Sequence, residues 1–436
     1  MELGKLRTHS PRTDADRLRD VMELAAREQS SWAGDLGALR ETGVPLNAVA
    51  TRAAGAPHAE GPGSTPATAQ QRMIPFHQAS HDAEEPAETF EVTPGTGSTT
   101  LGPHPLPAQG YLDKVVIDIE ATGGDEAEAE VGADYPFTAI TLVRLQDSNS
   151  VTITELSGFQ LLIAMTYGGF AGSPDPRNNP QYSANKGNPK FVLKIPVGLN
   201  PMGLGVLANQ SSSSSFKLTI VIGSKTEIWQ TKVPKTIPKL IVRTSCELKT
   251  LPPANDSLGR PQQQVPPYNG TAQYFRVQPN NSVAKGNNST RVTDTGNMIR
   301  MLAFIARKSG ARTEEAFPDP YNLVWDTGYL RISTRRLLQI RMREVVEQLS
   351  TRDVGVYLFN WSTGTQRYAG ANEVSAYIPT VTATRLELTG ASPEEGTLDV
   401  LTNTVSIAEI NPALRPVSRN ASGYQPPTPA ANPRGQ

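Results

Sequence analysis

The feature that most limits what this chain can become is a period-two alternation that recurs through most of its length after residue 85. In SFKLTIVIG, the side chains of Phe216, Leu218, Ile220 and Ile222 fall on one face of an extended backbone, and those of Ser215, Lys217 and Thr219 on the other. FVLKIPV repeats the pattern with Phe191, Leu193, Ile195 and Val197, and KLIVRTSCEL with Leu240, Val242, Thr244, Cys246 and Leu248. Successive side chains of a strand point to opposite faces, so such runs predict half-buried antiparallel strands. Gly, Pro, Asn and Ser separate them, as the turns of a β-sandwich require. NMIRMLAFIARKSG (297–310) is apolar on both faces, and is read as a covered strand rather than a short helix.

A proline-rich segment, LPPANDSLGRPQQQVPPYNG (251–270), divides the strand-rich region in two. Beyond it QYFRV, NLVWDTGYLRI, VGVYLFNW, EVSAYIPTV, TRLELTG and TLDVLTNTVSI continue the alternation. Each half is interrupted once by a helix. ELSGFQLLIAMTYGG supplies the first, and STRRLLQIRMREVVEQLS the second, with Leu338, Met342, Val345 and Leu349 on its buried side. No residue-level repeat links the halves, so the duplication reads as one of architecture.

Ahead of the strands, TDADRLRDVMELAARE (13–28) predicts a helix capped by Thr13, with Leu18, Val21, Met22 and Ala25 in one apolar stripe. AAGAPHAEGPGSTPATAQQ (53–71) lacks periodicity and reads as a flexible connector. The expected divisions are a helical arm (1–52), a linker (53–73), a first β domain (74–250), the proline-rich linker (251–270), a second β domain (271–410) and a loosely draped tail (411–436).

The charges nearly cancel, 41 basic against 42 acidic, so no global field draws the chain to nucleic acid. A single cysteine, Cys246, excludes a disulfide framework and any multi-cysteine metal site. The N-terminal sequence carries charges where a secretory signal needs its apolar segment, and the run FQLLIAMTYGGF is too short to span a bilayer. A soluble protein, not exported through a signal sequence, is expected.

Several motifs invite a chemical reading. KVVIDIEATGG (114–124) places Asp118 and Glu120 two residues apart, like the first metal-binding motif of a DnaQ-like exonuclease, and Asp326 in NLVWD mimics the second. A third motif is missing, and all five histidines (His9, His58, His77, His81, His104) precede the first. The plainer expectation is a strand with Val115, Ile117 and Ile119 inward and Lys114, Asp118 and Glu120 toward water. The same census leaves no histidine base for a Ser-His-Asp or Cys-His arrangement beyond residue 105. His77 and His81 stand four apart, but Pro75 argues against a helix there, so they are read as exposed linker residues. GLGVLA (203–208) precedes a strand rather than a helix and is no dinucleotide loop. GGDEAEAE (123–130) reads as a solvated acidic loop. Arg335, Arg336, Arg341 and Arg343 share their helix with Glu344 and Glu347, which favours a surface or inter-subunit role over nucleic acid. No catalytic residue, cofactor or metal site is expected.

The whole order, two consecutive β domains each with an inserted helix behind a tethered amphipathic helix, resembles the double jelly-roll major capsid proteins of tectiviruses, the lineage that includes adenovirus hexon. IPFHQASHDAEEPAETFEVTPGTGSTTLG leading to GYLDKVVIDIEATGG is similar to the approach of that family's chain to its first barrel. TELSGFQLLIAMT resembles the helix of the first barrel, and REVVEQLSTRDVGVYLFNW the helix-to-strand passage of the second. The resemblance covers residues 74–410 and implies a mainly β fold of two consecutive eight-stranded jelly rolls with short inserted helices. It further implies a homotrimer tiling an icosahedral shell over an internal membrane, with other capsid trimers, penton and membrane-associated virion proteins as partners. The N-terminal arm, with Lys5, Arg7, Arg12, Arg17, Leu18, Arg19, Val21 and Met22, would then touch lipid headgroups or neighbouring subunits. Residues 168–189 and 277–296 are expected as exposed or inter-subunit loops. Gly, Pro, Ala and Arg usage suits a phage of a GC-rich actinobacterial host. The alternative is a sugar- or receptor-binding β-sandwich of a virion or cell surface.

Overall fold

The computed structural model describes residues 73–124, 129–170, 175–178, 187–212, 215–267, 269–326, 328–345, 353–361, 377–380 and 385–406. They all belong to one compact unit, Arg72–Gln436. The arm residues Lys5 to Met22, most of the 53–73 connector, most of the 168–189 segment and the tail after 411 lie outside them.

The first half supplies β1 (Asp82–Val92), β2 (Thr99–Pro105), β3 (Tyr111–Thr122), β4 (Ile140–Gln146), β5 (Thr152–Leu156), β6 (Lys190–Pro196), β7 (Leu207–Ala208), β8 (Lys217–Ile222) and β9 (Lys239–Lys249). The second supplies β10 (Gln273–Val283), β11 (Gly286–Arg291), β12 (Met298–Lys308), β13 (Ala311–Arg312), β14 (Tyr321–Trp325), β15 (Gly328–Ser333), β16 (Val356–Asn360), β17 (Ile378–Pro379), β18 (Leu386–Ser392) and β19 (Gly396–Val405). The helices are α1 (Phe76–Ala79), α2 (Gly158–Tyr167), α3 (Lys225–Trp229) and α4 (Arg335–Val345).

With the two-residue strands set aside, each half contributes eight strands. The first half is ordered β1-β9-β3-β6 opposite β2-β8-β4-β5, and the second β10-β19-β12-β16 opposite β11-β18-β14-β15. Counted within its own half, each reads 1-8-3-6 opposite 2-7-4-5, which is the jelly-roll order. The protein is therefore a double jelly roll.

Alternation in the sequence becomes burial in the barrels. Leu218, Ile220 and Ile222 on β8, and Phe191, Leu193 and Ile195 on β6, are buried, as are Leu240, Val242, Thr244, Cys246 and Leu248 on β9. Ser215, expected on the wet face, is buried just ahead of β8. The two barrels share a sheet: β5 and β10 run parallel and pair at Thr154 and Phe275, which joins sheets of both halves into ten strands. This join explains why β12 is buried from Met298 to Ala306. One face lines the second core, where Phe304 sits 6.0 Å from the rings of both Phe317 and Phe359. Arg307 on the other face reaches Asp134 of the first barrel.

Two expectations fail for local reasons. Residues 277–296 are not a loop, because β10 continues to Val283 and β11 follows it. Asn and Gln hold that strand together: at the bulge between Gln278 and Asn281, Asn281 Nδ2 donates to the Leu398 carbonyl at 2.9 Å, and Asn280 adopts a positive φ of 53° that asparagine tolerates. Pro75, taken as evidence against a helix, instead occupies the N-cap of the single turn α1, where a missing backbone N–H is harmless. His77 is exposed on that turn and His81 is exposed beyond it.

Candidate functional site

The acidic strand is settled first. Val115, Ile117 and Ile119 of β3 are fully buried in the first core, and the intervening side chains lie on the outer face. There Arg243 Nη1 lies 3.0 Å from both Asp118 and Glu120, and Lys190 Nζ lies 2.7 Å from Glu120. Hydrogen bonds from Lys190 and Arg243 hold the Glu120 carboxyl below its usual pKa. Lys114 pairs with Glu247 at 2.8 Å, and Lys194 pairs with the same carboxylate. Asp326 stands beyond β14 in the other barrel, where it accepts the Arg385 backbone N–H at 3.2 Å. The three carboxylates of the exonuclease reading do not converge, and no group of three ligating residues that could hold a metal ion occurs among the described residues. No helix of the described residues is long and apolar enough to cross a membrane.

The densest polar construction lies between the barrels. Helix α2 starts with a capping box, Ser157 accepting from Gln160 N and Gln160 returning the bond to Ser157 N at 2.9 Å. Phe159, Leu161, Leu162, Ile163, Ala164, Met165 and Tyr167 are all buried. Its C-terminal carbonyls are closed from the second barrel: Asn360 Nδ2 donates to Tyr167 O at 3.0 Å, and Arg300 Nη2 to Gly168 O at 2.6 Å. Arg300 Nη1 donates to Asn403 Oδ1 at 3.2 Å, and Asn403 Nδ2 to Gln273 Oε1 at 3.2 Å. Gln273 Nε2 then approaches the carbonyls of Val197 and Gly198 at 3.1 and 3.0 Å, back in the first barrel.

At the other end of α2, three guanidiniums surround Phe159: those of Arg177, Arg307 and Arg312 lie 5.8, 5.9 and 4.7 Å from its ring centroid. Four carboxylates balance them. Asp134 accepts from Arg312 at 2.6 Å and Arg307 at 2.7 Å, Asp353 from Arg177 at 3.0 Å and Arg312 at 3.1 Å, Asp175 from Arg177 at 2.7 Å, and Asp399 lies 3.4 Å from Arg307. Burial alone would pull the Arg177 guanidinium down, but hydrogen bonding to Asp175 and the charges of Asp353 and Asp175 hold it above the usual arginine range. Sequence reading missed this cluster, whose members are spread from residue 134 to 399.

The second inserted helix repeats the first more closely than its sequence suggests. Thr334 accepts from Leu337 N at 3.4 Å where Ser157 caps α2. Counted from those caps, Leu338 and Met342 match Leu161 and Met165, and all four are buried. Met165 Sδ faces the Lys194 amide at 3.0 Å, and Met342 Sδ the Leu358 amide at 3.4 Å, on the matching strands β6 and β16. The two helices, SGFQLLIAM and TRRLLQIRM, thus share a capping hydroxyl and matching Leu, Ile and Met positions within an otherwise architectural duplication. The outer sides differ. Ile163 is fully buried, whereas its counterpart Ile340 is 43% exposed, with Leu337 50% and Ile332 60% exposed beside it in sequence. Arg335 is turned to its own barrel, 3.1 Å from Asp319, while Arg336 is exposed.

No family model matches this sequence, and no curated protein does. Solved structures match its fold. The crystal structure of the STIV MCP aligns with a TM-score of 0.55 at 13% identity, over 77% of this chain and 99% of that one. The atomic structure of Sulfolobus Turreted Icosahedral Virus contains a chain that aligns with a TM-score of 0.52 at 9% identity, over 76% and 92% respectively. At such identities the likeness is one of fold.

Proposed function

We propose that this chain is a viral major capsid protein, a non-enzymatic subunit whose activity is self-assembly into an icosahedral shell. The observation that carries the reading is the double jelly roll itself, two barrels of one strand order locked side by side by a buried arginine and aspartate cluster. A subunit built as two like blocks serves a lattice in which six barrel positions are filled by three chains through heterologous contacts. The likeness to the STIV MCP over nearly all of that chain supports the same role. Buried aromatics such as Phe216 and Phe359 belong to the cores and offer no sugar-binding platform.

In this reading the protein is a homotrimer of the tectivirus and hexon lineage, from a phage of a GC-rich host, made in the host cytoplasm and assembled over an internal membrane. Its partners are neighbouring trimers, penton and membrane-associated virion proteins, and it needs no cofactor and no specific nucleic acid. Residues 74–250 and 271–410 form the two barrels about the 251–270 linker. Residues 1–52 form an arm on the inner side, tethered by 53–73, and 411–436 form a terminal tail. Leu18, Val21 and Met22 pack the arm on neighbouring subunits, while Lys5, Arg7, Arg12, Arg17 and Arg19 meet lipid headgroups.

Light scattering on the purified protein tests the reading. The expected mass is three times the 46.9 kDa of one chain. A monomer at every concentration overturns it. Deleting residues 1–50 is expected to spare the trimer and impair particle assembly.

A further inference from the structure

We propose that the outer face of β3, at the end carrying Asp118, Glu120 and Thr122, is the docking surface for α4 of a second copy of this chain. The inference rests on the capsid reading above and names the two surfaces that meet.

The argument is internal to the molecule. Because both halves share one strand order, every surface of one barrel has a counterpart on the other. In the first barrel, the helix after the fifth strand is covered by the second: Phe159 near its start meets Arg307 and Arg312, and Gly168 at its end meets Arg300. Helix α2 therefore lies along β12, antiparallel to it. Its counterpart α4 packs inward on β16 but leaves Leu337 and Ile340 exposed. The counterpart of β12 is β3, whose Thr122 pairs with the first residue of β9, much as Arg307 pairs with the second residue of β19. Along β3 the outer side chains of Asp118, Glu120 and Thr122 carry no helix of the described residues. Among the described residues each chain is thus left with one uncovered helix face and one uncovered sheet face, the two halves of a junction it already builds once.

Charge agrees with this pairing. Asp118 and Glu120 are balanced by Arg243 and Lys190, and the exposed Glu130 follows beyond Thr122. The facing helix would bring the exposed Arg336. At the existing junction both signs occur on each side, Arg307 and Arg312 with Asp399 on the sheet side and Asp134 and Asp175 with Arg177 near the helix. The contact joins two different surfaces, so it propagates head to tail until a ring closes.

Cross-linking tests it in the full chain, since the one native thiol, Cys246, is buried. With a short bis-maleimide, Arg336→Cys alone and Thr122→Cys alone are expected to stay uncoupled, whereas the double variant couples into covalent trimers. L337D/I340D is expected to weaken association at least tenfold while its unfolding temperature stays that of the wild type. A wild-type trimer that the double variant fails to cross-link, or that L337D/I340D leaves intact, overturns this interface and spares the capsid reading. Self-coupling of Arg336→Cys shows an isologous contact and also overturns it. A chain monomeric throughout overturns both.

Discussion

Arg300 Nη2 donates to the carbonyl oxygen of Gly168 at 2.6 Å, so a guanidinium of the second barrel closes a helix of the first. Its planar fork also reaches Asn403 and lies 4.4 Å from the Phe170 ring centroid. A cation at a helix C-terminus faces the negative end of the backbone dipole. Complete burial pulls the pKa of Arg300 down, and Tyr377 works against that pull.

Arg300→Met keeps an apolar stem but strands two buried acceptors. Each such loss costs about 1–3 kcal/mol, so a destabilisation of roughly 3 kcal/mol is expected. Calorimetry should also show the unfolding transition broaden or split as the barrels uncouple. A variant with the wild-type profile would deny Arg300 its linking role.

Asp134→Ala leaves Arg307 and Arg312 facing each other without their shared carboxylate. The side chains of Arg312 and Asp134 are only 6% and 8% exposed, and breaking a buried pair from one side costs about 3–5 kcal/mol. A double-mutant cycle with Arg312→Ala should recover part of that loss; strict additivity would refute the coupling. Asp118→Ala on the outer face is expected to leave the unfolding temperature unchanged, and neither it nor the wild type should degrade DNA with added magnesium.

His104 predicts acid sensitivity. It is buried on β2, with Thr244 Oγ1 3.4 Å from its Nε2 and the Phe90 ring 5.3 Å away. Burial lowers its pKa, and the charge of Glu88 opposes this only in part. The unfolded chain, with a pKa near 6.5, then binds the proton first as pH falls, so stability is lost from about pH 6.5 downward. His104→Gln should flatten the unfolding temperature between pH 7 and 5; an unchanged slope would assign the effect elsewhere.

Cys246 should be inert while the protein is folded. Burial on β9 pushes its thiol up to about 12, so almost no thiolate is present near neutral pH. Iodoacetamide should label it only after denaturation, and rapid labelling of the native protein would show that the first barrel opens.

Much of this was legible one residue at a time. Period-two runs named the buried faces of β6, β8 and β9, and the doubly apolar run at 297–310 announced a strand covered on both sides. The two inserted helices were legible as apolar segments, whereas the short helices α1 and α3 were not, since one turn carries no periodicity. The bridging cluster was not, because Asp134, Arg177, Arg312 and Asp399 carry no mutual spacing until the barrels meet. Nor did the Asn-rich strand of β10 betray itself, since its side chains satisfy a bulge whose partner strand, β19, lies more than a hundred residues away.

Ile163 and Ile340 mark the boundary between the two kinds of knowledge. The sequence by itself set both on helices inserted among alternating strands, because side-chain alternation and helical periodicity are properties of a few neighbouring residues. Only the tertiary structure decided that one is sealed and the other 43% exposed, because what covers a face is chosen by distant segments through shape and charge.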